Sequence, residues 1–341
     1  MTTPVLTTPE PERSTLTAPH DLELRSIDAY LGPRSQRFFG SGYRSVRTAL
    51  HDVVIETTST SASLHARGHV EPGGLWSTKG SGDVAPHLST PDMLRLTEQA
   101  AGAMLARRDG ARAPAGAWLE EVHIAAGRVP VEHALDRVDV TGALRDDGPG
   151  RAVLELQVAT MSIRARLRLD PVRPGDARSG QDVAPVSRDV LAHTRLPQLR
   201  PIAVEHVRVS RREPQSALAE LVIDPVPVSD EPMLGLHGAF AGSLSLVDHF
   251  VVGLQLGQVL LYELDELERR DSSTLWMRGT RIVRSQEPRR ADLRSAVRTE
   301  LVRSRLVDLD GSTWRCADIV SVCDDVTLVC SVAHALPGGA R

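Results

Sequence analysis

Leu88–Gln99 reads LSTPDMLRLTEQ, and Leu244–Gln255 reads LSLVDHFVVGLQ. The two stretches carry Leu, Ser, Asp and Gln at the same spacing, and an offset of 156 residues relates one to the other. In each Ser-x-x-Asp, the Ser hydroxyl is placed to accept a hydrogen bond from an amide of the first helical turn, and the carboxylate faces the other exposed amides. Each stretch therefore predicts the start of a helix, and together they predict an internal repeat.

Both helices are predicted to continue for about five turns, to Arg107 and to roughly Leu267. The second helix is apolar on nearly every side, so other structure must enclose it. A strand headed by Trp follows each helix, beginning at Trp118 in one repeat and at Trp276 in the other. A helix followed by such a strand, present twice, predicts that both halves share one fold.

Long strands complete each half. Residues 161–170 read MSIRARLRLD, in which apolar and polar side chains alternate with the period of a half-buried strand. Residues 316–334 form the corresponding hairpin of the second half. These patterns predict an α+β fold in which an antiparallel sheet wraps a long buried helix, and two copies predict a pseudo-dimer within one chain.

Composition divides the chain into segments. Residues 1–23 are polar and rich in Pro and Thr, without the apolar core of a signal peptide, and are predicted to be a disordered tail. The first repeat is predicted to span residues 24–172 and the second residues 201–336. A linker rich in Pro, Gly and Ser, residues 173–200, is predicted between them.

The bulk composition argues against several classes of protein. A net charge of −4 disfavours nucleic acid and anionic membranes as partners, and the most apolar helix is too short and too interrupted by Gln to span a bilayer. Three cysteines near the C-terminus carry neither a CxxC pair nor a nearby His cluster, so reduced thiols are predicted instead of a zinc site. The chain has no GxGxxG after a strand and no HExxH, and neither a metal nor a redox cofactor is predicted. A reducing cytoplasm fits this composition, and the replacement of nearly all Lys by Arg points to a GC-rich, actinobacterial genome.

The start of the second helix supplies the first candidate site. Asp248 and His249 are adjacent there and predict a histidine base with a carboxylate that orients it. His87, two residues before the first helix cap, is the second candidate base, and His237 occupies a similar Gly-rich loop before the second helix. Asp92, the counterpart of Asp248, is a candidate substrate contact. The alternatives are that both aspartates only cap their helices and that His249 is a partly exposed residue of the first turn.

Further residues are candidate substrate contacts. Lys79, the only lysine of the chain, lies near Trp76 in a Gly-rich loop, where Trp can stack on a sugar and an ammonium group can bind phosphate or carboxylate. A Schiff-base amine and an ordinary surface residue are the alternatives for Lys79. Gln255 and its repeat partner Gln99 are placed either to bind substrate hydroxyls or to satisfy backbone groups of the wrapping sheet. Arg278, in the strand after the second helix, is predicted to face a cleft between the two halves.

Residues 269–305 carry eleven Arg against four acidic residues. This run is either a docking face for an acidic partner protein or a solvated surface.

Ser26–Pro33 (SIDAYLGP) and Arg37–Tyr43 (RFFGSGY) resemble the opening signature of the avirulence protein D (AvrD) family. The stretches GLWSTK, HLSTPD and Val247–Arg278 are similar to the same family, so the resemblance covers nearly the whole chain. The family is associated with syringolide-type elicitors of plant-pathogenic bacteria, in which a β-ketoacyl chain is joined to a ketopentose as a butenolide or butyrolactone. This chemistry is similar to that of the A-factor-type butyrolactone synthases, which are built from tandem hotdog repeats.

The resemblance implies a double hotdog fold, with clefts between the halves near the helix starts, and an acyltransferase that makes a syringolide- or butenolide-type lactone. The expected substrates are a β-ketoacyl thioester, on acyl carrier protein or CoA, and a small ketose such as xylulose, or dihydroxyacetone phosphate. Two alternatives stay open: a hotdog dehydratase or thioesterase acting on acyl thioesters alone, and a non-catalytic module that binds an acyl ligand. A monomeric pseudo-dimer and a homodimer are both compatible with the sequence.

Overall fold

The computed structural model describes residues 22–74, 76–79, 82–110, 113–169, 199–212, 215–224, 235–240, 242–309 and 311–337. For Thr78, Lys79, Gly82 and Asp83 it describes the backbone alone. The predicted tail as far as residue 21 and the predicted linker as far as residue 198 lie outside the described residues.

The two halves have the same order of elements: two long strands, a long helix and four strands. The chain before the first half contains β1 (Leu22–Ser26), α1 (Asp28–Leu31), a 3-10 turn (Arg34–Gln36), a π-helical turn (Phe38–Gly42) and α2 (Tyr43–Ser45). The first half contains β2 (Arg47–Thr57), β3 (Ser61–Glu71), the short pair β4 (Thr78–Lys79) and β5 (Gly82–Asp83), α3 (Thr90–Asp109), α4 (Ala113–Gly116), β6 (Trp118–Ala125), a 3-10 turn (Leu135–Arg137), β7 (Val138–Asp146), β8 (Arg151–Val158) and β9 (Met161–Arg168). The second half contains β10 (Ile202–Ser210), β11 (Ser216–Ile223), a 3-10 turn (Gly238–Phe240), α5 (Leu246–Leu264), a second 3-10 turn (Arg269–Asp271), β12 (Trp276–Arg284), β13 (Arg294–Leu309), β14 (Ser312–Cys323) and β15 (Val326–Ala335).

Thirteen strands form one antiparallel sheet in the order β1-β10-β11-β13-β14-β15-β12-β6-β9-β8-β7-β3-β2. Its centre is the pairing of β6 with β12, with Val122 opposite Ile282, which joins the two halves. The first half of the sheet contacts α3 and the second half contacts α5. A sheet that wraps one long helix in each half is the double hotdog fold, so the predicted α+β architecture is confirmed.

The first of the described strands belongs to the second half of the sheet. β1 pairs with β10, with Leu24 opposite Val207. The boundary predicted at residue 24 therefore needs a correction, because β1 begins at Leu22 and extends the sheet of the other repeat. No local sequence signal reveals the pairing of β1 with β10, because long-range packing decides which strands pair.

The predicted strands and cysteines agree with the structure. β9 alternates buried and exposed side chains along Met161–Arg168. The C-terminal hairpin is β14 paired with β15, with Cys323 opposite Val326 at its turn. All three cysteines are free thiols.

α5 is enclosed by the sheet, as its apolar sequence predicts. All its residues from Leu246 to Tyr262 are buried, and a Cβ added to Gly257 would lie 2.7 Å from Cγ1 of Ile319. The helix ends three residues before the predicted end, because Glu266 adopts a left-handed φ of 52° and Leu267 turns back to donate to the Tyr262 carbonyl. Among the described helices, none has the length and hydropathy that crossing a bilayer requires.

An ionic cluster holds the C-terminal end of α5 against the sheet. Arg315 of β14 donates to Asp265 at 2.5 and 2.9 Å, and His334 of β15 lies 3.1 Å from the same carboxylate. Burial raises the pKa of Asp265, but the hydrogen bonds with His334 and Arg315 outweigh it and hold this pKa below its ordinary value. Asp265 therefore stays ionised and fixes the helix end.

Candidate active site

The two long helices begin with the same capping box. Ser89 Oγ accepts from the Asp92 amide at 3.3 Å, and Asp92 Oδ2 accepts from the Ser89 amide and hydroxyl at 2.9 and 2.6 Å. Ser245 and Asp248 repeat these bonds at 3.1, 3.1 and 2.7 Å. Burial raises the pKa of both carboxyls to about 6, although the Ser hydrogen bonds lower it. Both aspartates therefore cap their helices, as the sequence predicts.

Six charged or titratable side chains line a small cavity at the start of α5. Its volume is about 30 Å³. We call this space the α5 cavity, and its polar lining residues used below are Arg95 and Glu98 of α3, His237 of the preceding loop, Asp248 of α5 and Arg284 at the end of β12. Since α3 belongs to the first half and the other elements to the second, the cavity lies between the halves.

Glu98 is the most perturbed acid of this group. Its side chain is buried in the middle of α3, and burial raises its pKa to about 7, against the lowering effect of the Arg95 and Arg284 charges. His237 Nε2 lies 3.8 Å from Glu98 Oε1. A carboxyl with a pKa near neutrality can accept and release a proton at physiological pH, which is what a general base requires.

His237 is a neutral imidazole in a strained position. Burial, together with the charge of Arg284, lowers its pKa to about 3. Its φ of 63° is left-handed, which is unfavourable for a residue with a side chain. A hydrogen bond from the His237 amide to the Ala117 carbonyl, 3.1 Å long, ties the loop to the first half. Such strain is held where the surrounding structure over-determines a position, often at functional sites.

Arginines surround the start of α5. Arg284 donates from Nη2 to the Leu244 carbonyl at 2.8 Å, and burial lowers its pKa. Arg95 donates from Nε to Thr48 Oγ1 at 3.2 Å, and Arg200 also lines the cavity. This positive surrounding can stabilise negative charge that develops on a bound oxygen.

The sequence matches the model of the family described as Pseudomonas avirulence D protein (AvrD) over residues 22–337. The chain belongs to the AvrD family. No curated protein matches its sequence.

Several solved structures resemble it at low sequence identity. The tesB protein of Mycobacterium avium subspecies paratuberculosis is 13% identical, with 83% of this chain and 96% of that chain covered and a TM-score of 0.40. An acyl-ACP thioesterase from Bacteroides thetaiotaomicron is 11% identical, with 86% and 99% covered and a TM-score of 0.39. The dehydratase domain of RzxB from Pseudomonas fluorescens is 17% identical, with 84% and 96% covered and a TM-score of 0.34.

The segment with the AvrD opening signature packs on α5. Arg37 donates from Nη1 to Gln255 Oε1 at 2.8 Å and also pairs with Asp28. The rings of Phe39 and Phe250 meet edge to face with centroids 5.9 Å apart. Gln255 thus holds this AvrD segment on α5, and it does not line the α5 cavity.

Gln99 has a comparable structural role. Its Nε2 donates to the Thr48 carbonyl of β2 at 2.8 Å. Gln99 therefore satisfies a backbone group of the sheet, which is one of the alternatives that the sequence left open, whereas Gln255 binds the Arg37 side chain.

The other predicted bases lie outside the α5 cavity. His249 is buried, and burial lowers its pKa to about 3, but it does not line the cavity. His87 lies before α3, with its ring 5.5 Å from that of Trp76 and 6.1 Å from that of Trp276. Trp76 is buried and stacks on Phe38 with centroids 4.1 Å apart, so one of its faces is covered by protein. The side chain of Lys79 lies outside the described part of the structure.

Arg278 requires a correction. Its side chain is exposed, and Arg284, six residues further along β12, is the arginine that lines the cavity. A bulge between Met277 and Gly279 interrupts the alternation of inward and outward side chains along the strand. The sequence pattern therefore does not predict which face of the sheet carries Arg278. Several arginines of the Arg-rich run pair with acids: Arg281 with Glu121, Arg294 with Glu220, Arg298 with Glu300 and Arg303 with Asp318.

Glu98, Arg95, Arg284 and Arg200 of the cavity were not singled out by the sequence analysis. The repeat contained a signal for two of them, since the offset that relates Asp92 to Asp248 pairs Arg95 with Val251 and Glu98 with Leu254. Charged residues at positions that are apolar in the other copy of a buried helix indicate a specialised environment.

Two wider depressions, of about 740 and 590 Å³, are lined by strand residues away from the helix starts. The described residues contain no group of three or more His, Cys, Asp and Glu side chains able to hold a metal ion.

Proposed function

We propose that this AvrD-family protein is an enzyme that condenses a β-ketoacyl thioester with a small ketose, or its phosphate, to a syringolide- or butenolide-type lactone. The observation that carries the proposal is the buried Glu98–His237 pair between two arginines at the junction of the halves. Acyl carrier protein and CoA are both compatible as carriers of the acyl group.

The reaction requires two bond-forming steps. In the first, a ketose hydroxyl attacks the thioester carbonyl, so that a C–O bond forms, the C–S bond breaks, and the thiol leaves with the hydroxyl proton. In the second, the carbon between the two carbonyls of the β-ketoacyl group loses a proton and attacks the ketone carbon of the sugar. Loss of one water then gives the butenolide. Both steps need a base and positive charge beside a developing oxyanion.

The cavity residues match these needs. Glu98, with its pKa near 7, accepts the proton of the acidic carbon, because a useful fraction of it is ionised at neutral pH. Arg95 and Arg284 provide the positive charge that holds the enolate. Neutral His237 carries a ring nitrogen beside Glu98 and can hydrogen-bond a substrate oxygen.

The repeat supports one working site. Arg95 and Glu98 of α3 line the cavity at the start of α5. The repeat offset relates them to Val251 and Leu254 of α5, which are buried and apolar and which the repeat predicts at the corresponding place near the start of α3. Val251 and Leu254 supply neither a base nor a cation, so we assign the chemistry to the start of α5.

Mass spectrometry of the purified protein with a β-ketoacyl thioester, with and without D-xylulose or dihydroxyacetone phosphate, tests the proposal. A product that carries both acyl and sugar mass is expected from the wild type and is lost in Glu98→Gln. Glu120→Gln is the matched control, because Glu120 pairs with Arg168 on the sheet at 2.6 and 2.8 Å and does not line the cavity.

Other products would contradict the condensation. Release of thiol without a sugar adduct would indicate a thioesterase, and loss of water from a 3-hydroxyacyl thioester would indicate a dehydratase. Retention of an intact thioester without turnover would indicate a module that only binds the acyl group.

A further inference from the structure

Among the described residues that line the α5 cavity, three carry a buried polar atom without a hydrogen-bond partner. These atoms are Oδ1 of Asp248, Nε2 of His237 and Nε of Arg284. The other carboxylate oxygen of Asp248 is used fully by the Ser245 capping box, so Oδ1 is the atom left over for a ligand. Buried polar groups without partners are unfavourable, and a bound water or ligand or a catalytic role explains their occurrence in a native structure.

The cavity has room for such a group. Its volume of about 30 Å³ accepts an oxygen-sized group. Asp248 Oδ1 and His237 Nε2 are complementary to a hydroxyl: the carboxylate accepts its hydrogen, and a neutral imidazole with its proton on Nε2 donates to its oxygen. His237 is held neutral by burial, which is consistent with this pairing.

We propose that the α5 cavity is a subsite for a single oxygen, the attacking hydroxyl of the ketose, held between Asp248 and His237. This assignment rests on the proposed function. As the hydroxyl oxygen bonds to the thioester carbon, its proton passes to Asp248 Oδ1 and the C–S bond breaks. The departing thiolate then takes that proton, which returns Asp248 to its ionised form.

The start of α3 provides an internal comparison. Asp92 has the same capping box and a pKa raised by burial to a similar extent. Asp92 does not line the α5 cavity and is not among the described side chains with a buried, unpartnered atom. Replacement of Asp92 by Asn therefore reproduces the change at a helix cap without the change at the subsite.

The first test compares Asp248→Asn with Asp92→Asn. We expect the two variants to lose similar amounts of thermal stability, because Asn retains an acceptor oxygen for the cap. Asp248→Asn should lower kcat for the ketose product by about 100-fold or more, with a smaller change in the KM for the thioester. Asp92→Asn should keep the wild-type kcat. Equal kcat values for Asp248→Asn and the wild type would overturn the subsite and leave the condensation reaction intact.

The second test does not depend on turnover. A high-resolution crystal structure of the protein soaked with D-xylulose should show an oxygen within about 2.6–3.2 Å of both Asp248 Oδ1 and His237 Nε2. A water at this position without sugar density, together with thioester hydrolysis that Asp248→Asn abolishes, would retain the oxygen subsite and refute the ketose reaction. A cavity without any ordered oxygen would refute the subsite.

Discussion

Glu98 Oε1 lies 3.8 Å from His237 Nε2, and the two side chains come from different halves of the chain. Glu98 is fixed by its place inside α3, while His237 is fixed by a left-handed backbone conformation and by its bond to the Ala117 carbonyl. The pair therefore exists only when both halves are folded and joined.

The pH dependence of catalysis should report Glu98. Because burial raises its pKa to about 7, the basic form is lost as the pH falls through that value. We expect kcat/KM of the wild type to decrease below about pH 7, and Glu98→Gln to reduce kcat by about 100- to 10,000-fold. Steady-state kinetics between pH 5 and 9 measures both. In Glu98→Gln the limb should move down to about pH 6, where Asp248 titrates. A limb that stays near pH 7 in this variant would mean that a group other than Glu98 is responsible.

The same carboxyl should reduce stability at neutral and alkaline pH. A carboxyl whose folded pKa lies above its unfolded value contributes stability at low pH, and this contribution disappears as the pH rises through the folded pKa. A rise to about 7 corresponds to roughly 3 kcal/mol. Glu98→Gln should therefore raise the melting temperature at pH 8 more than at pH 5. Parallel melting curves of variant and wild type across this range would contradict the burial of an ionised Glu98.

Asp265 should behave in the opposite direction. Its folded pKa is depressed by His334 and Arg315, so its contribution to stability is present above the ordinary pKa of Asp, about 3.9, and is lost as the pH falls below it. Asp265→Asn should lower the free energy of unfolding at pH 7 by about 1.5–3 kcal/mol. Chemical denaturation at pH 7 and pH 3 checks this, with the exposed Asp308→Asn as control. A difference between wild type and variant that stays constant at pH 3 would argue against the ionic cluster.

A side chain at Gly257 should lower the stability of the protein. An added Cβ would meet Ile319 Cγ1 at 2.7 Å and Cγ2 at 2.8 Å, so α5 would be pushed away from β14. Gly257→Ala should cost about 1–3 kcal/mol of unfolding free energy in spite of the better helix propensity of Ala. Gly279→Ala is the matched control, because its Cβ would meet only the Ile124 carbonyl at 3.8 Å. A Gly257→Ala variant as stable as the wild type would show that the helix is packed less closely.

The sequence predicts local features of the fold well and the site only in part. The Ser-x-x-Asp caps and the alternation of β9 depend on residues a few positions apart, so their patterns are readable. The α5 cavity depends on which face of α3 meets the loop around His237, and long-range packing decides this. Asp248 was found because it also has a local role as a cap, whereas Glu98 has no local role that marks it.

The bulge in β12 shows a second limit. Strand periodicity places side chains on alternate faces only while the hydrogen-bonded register is continuous. The irregularity at Met277 and Gly279 breaks this continuity, which leaves Arg278 in solvent and Arg284 in the cavity. The composition of the strand alone does not distinguish these two arginines.

The pairing of β6 with β12 has an evolutionary consequence. In a homodimer of single repeats, every substitution appears at both clefts at once, so a residue that improves one must be tolerated by the other. Here the two repeats are covalently one chain and share one sheet, and the positions occupied by Glu98 and Leu254 are free to diverge. One repeat copy can lose its chemistry and serve as scaffold, while its partner acquires charged groups that a symmetric assembly would have to bury twice.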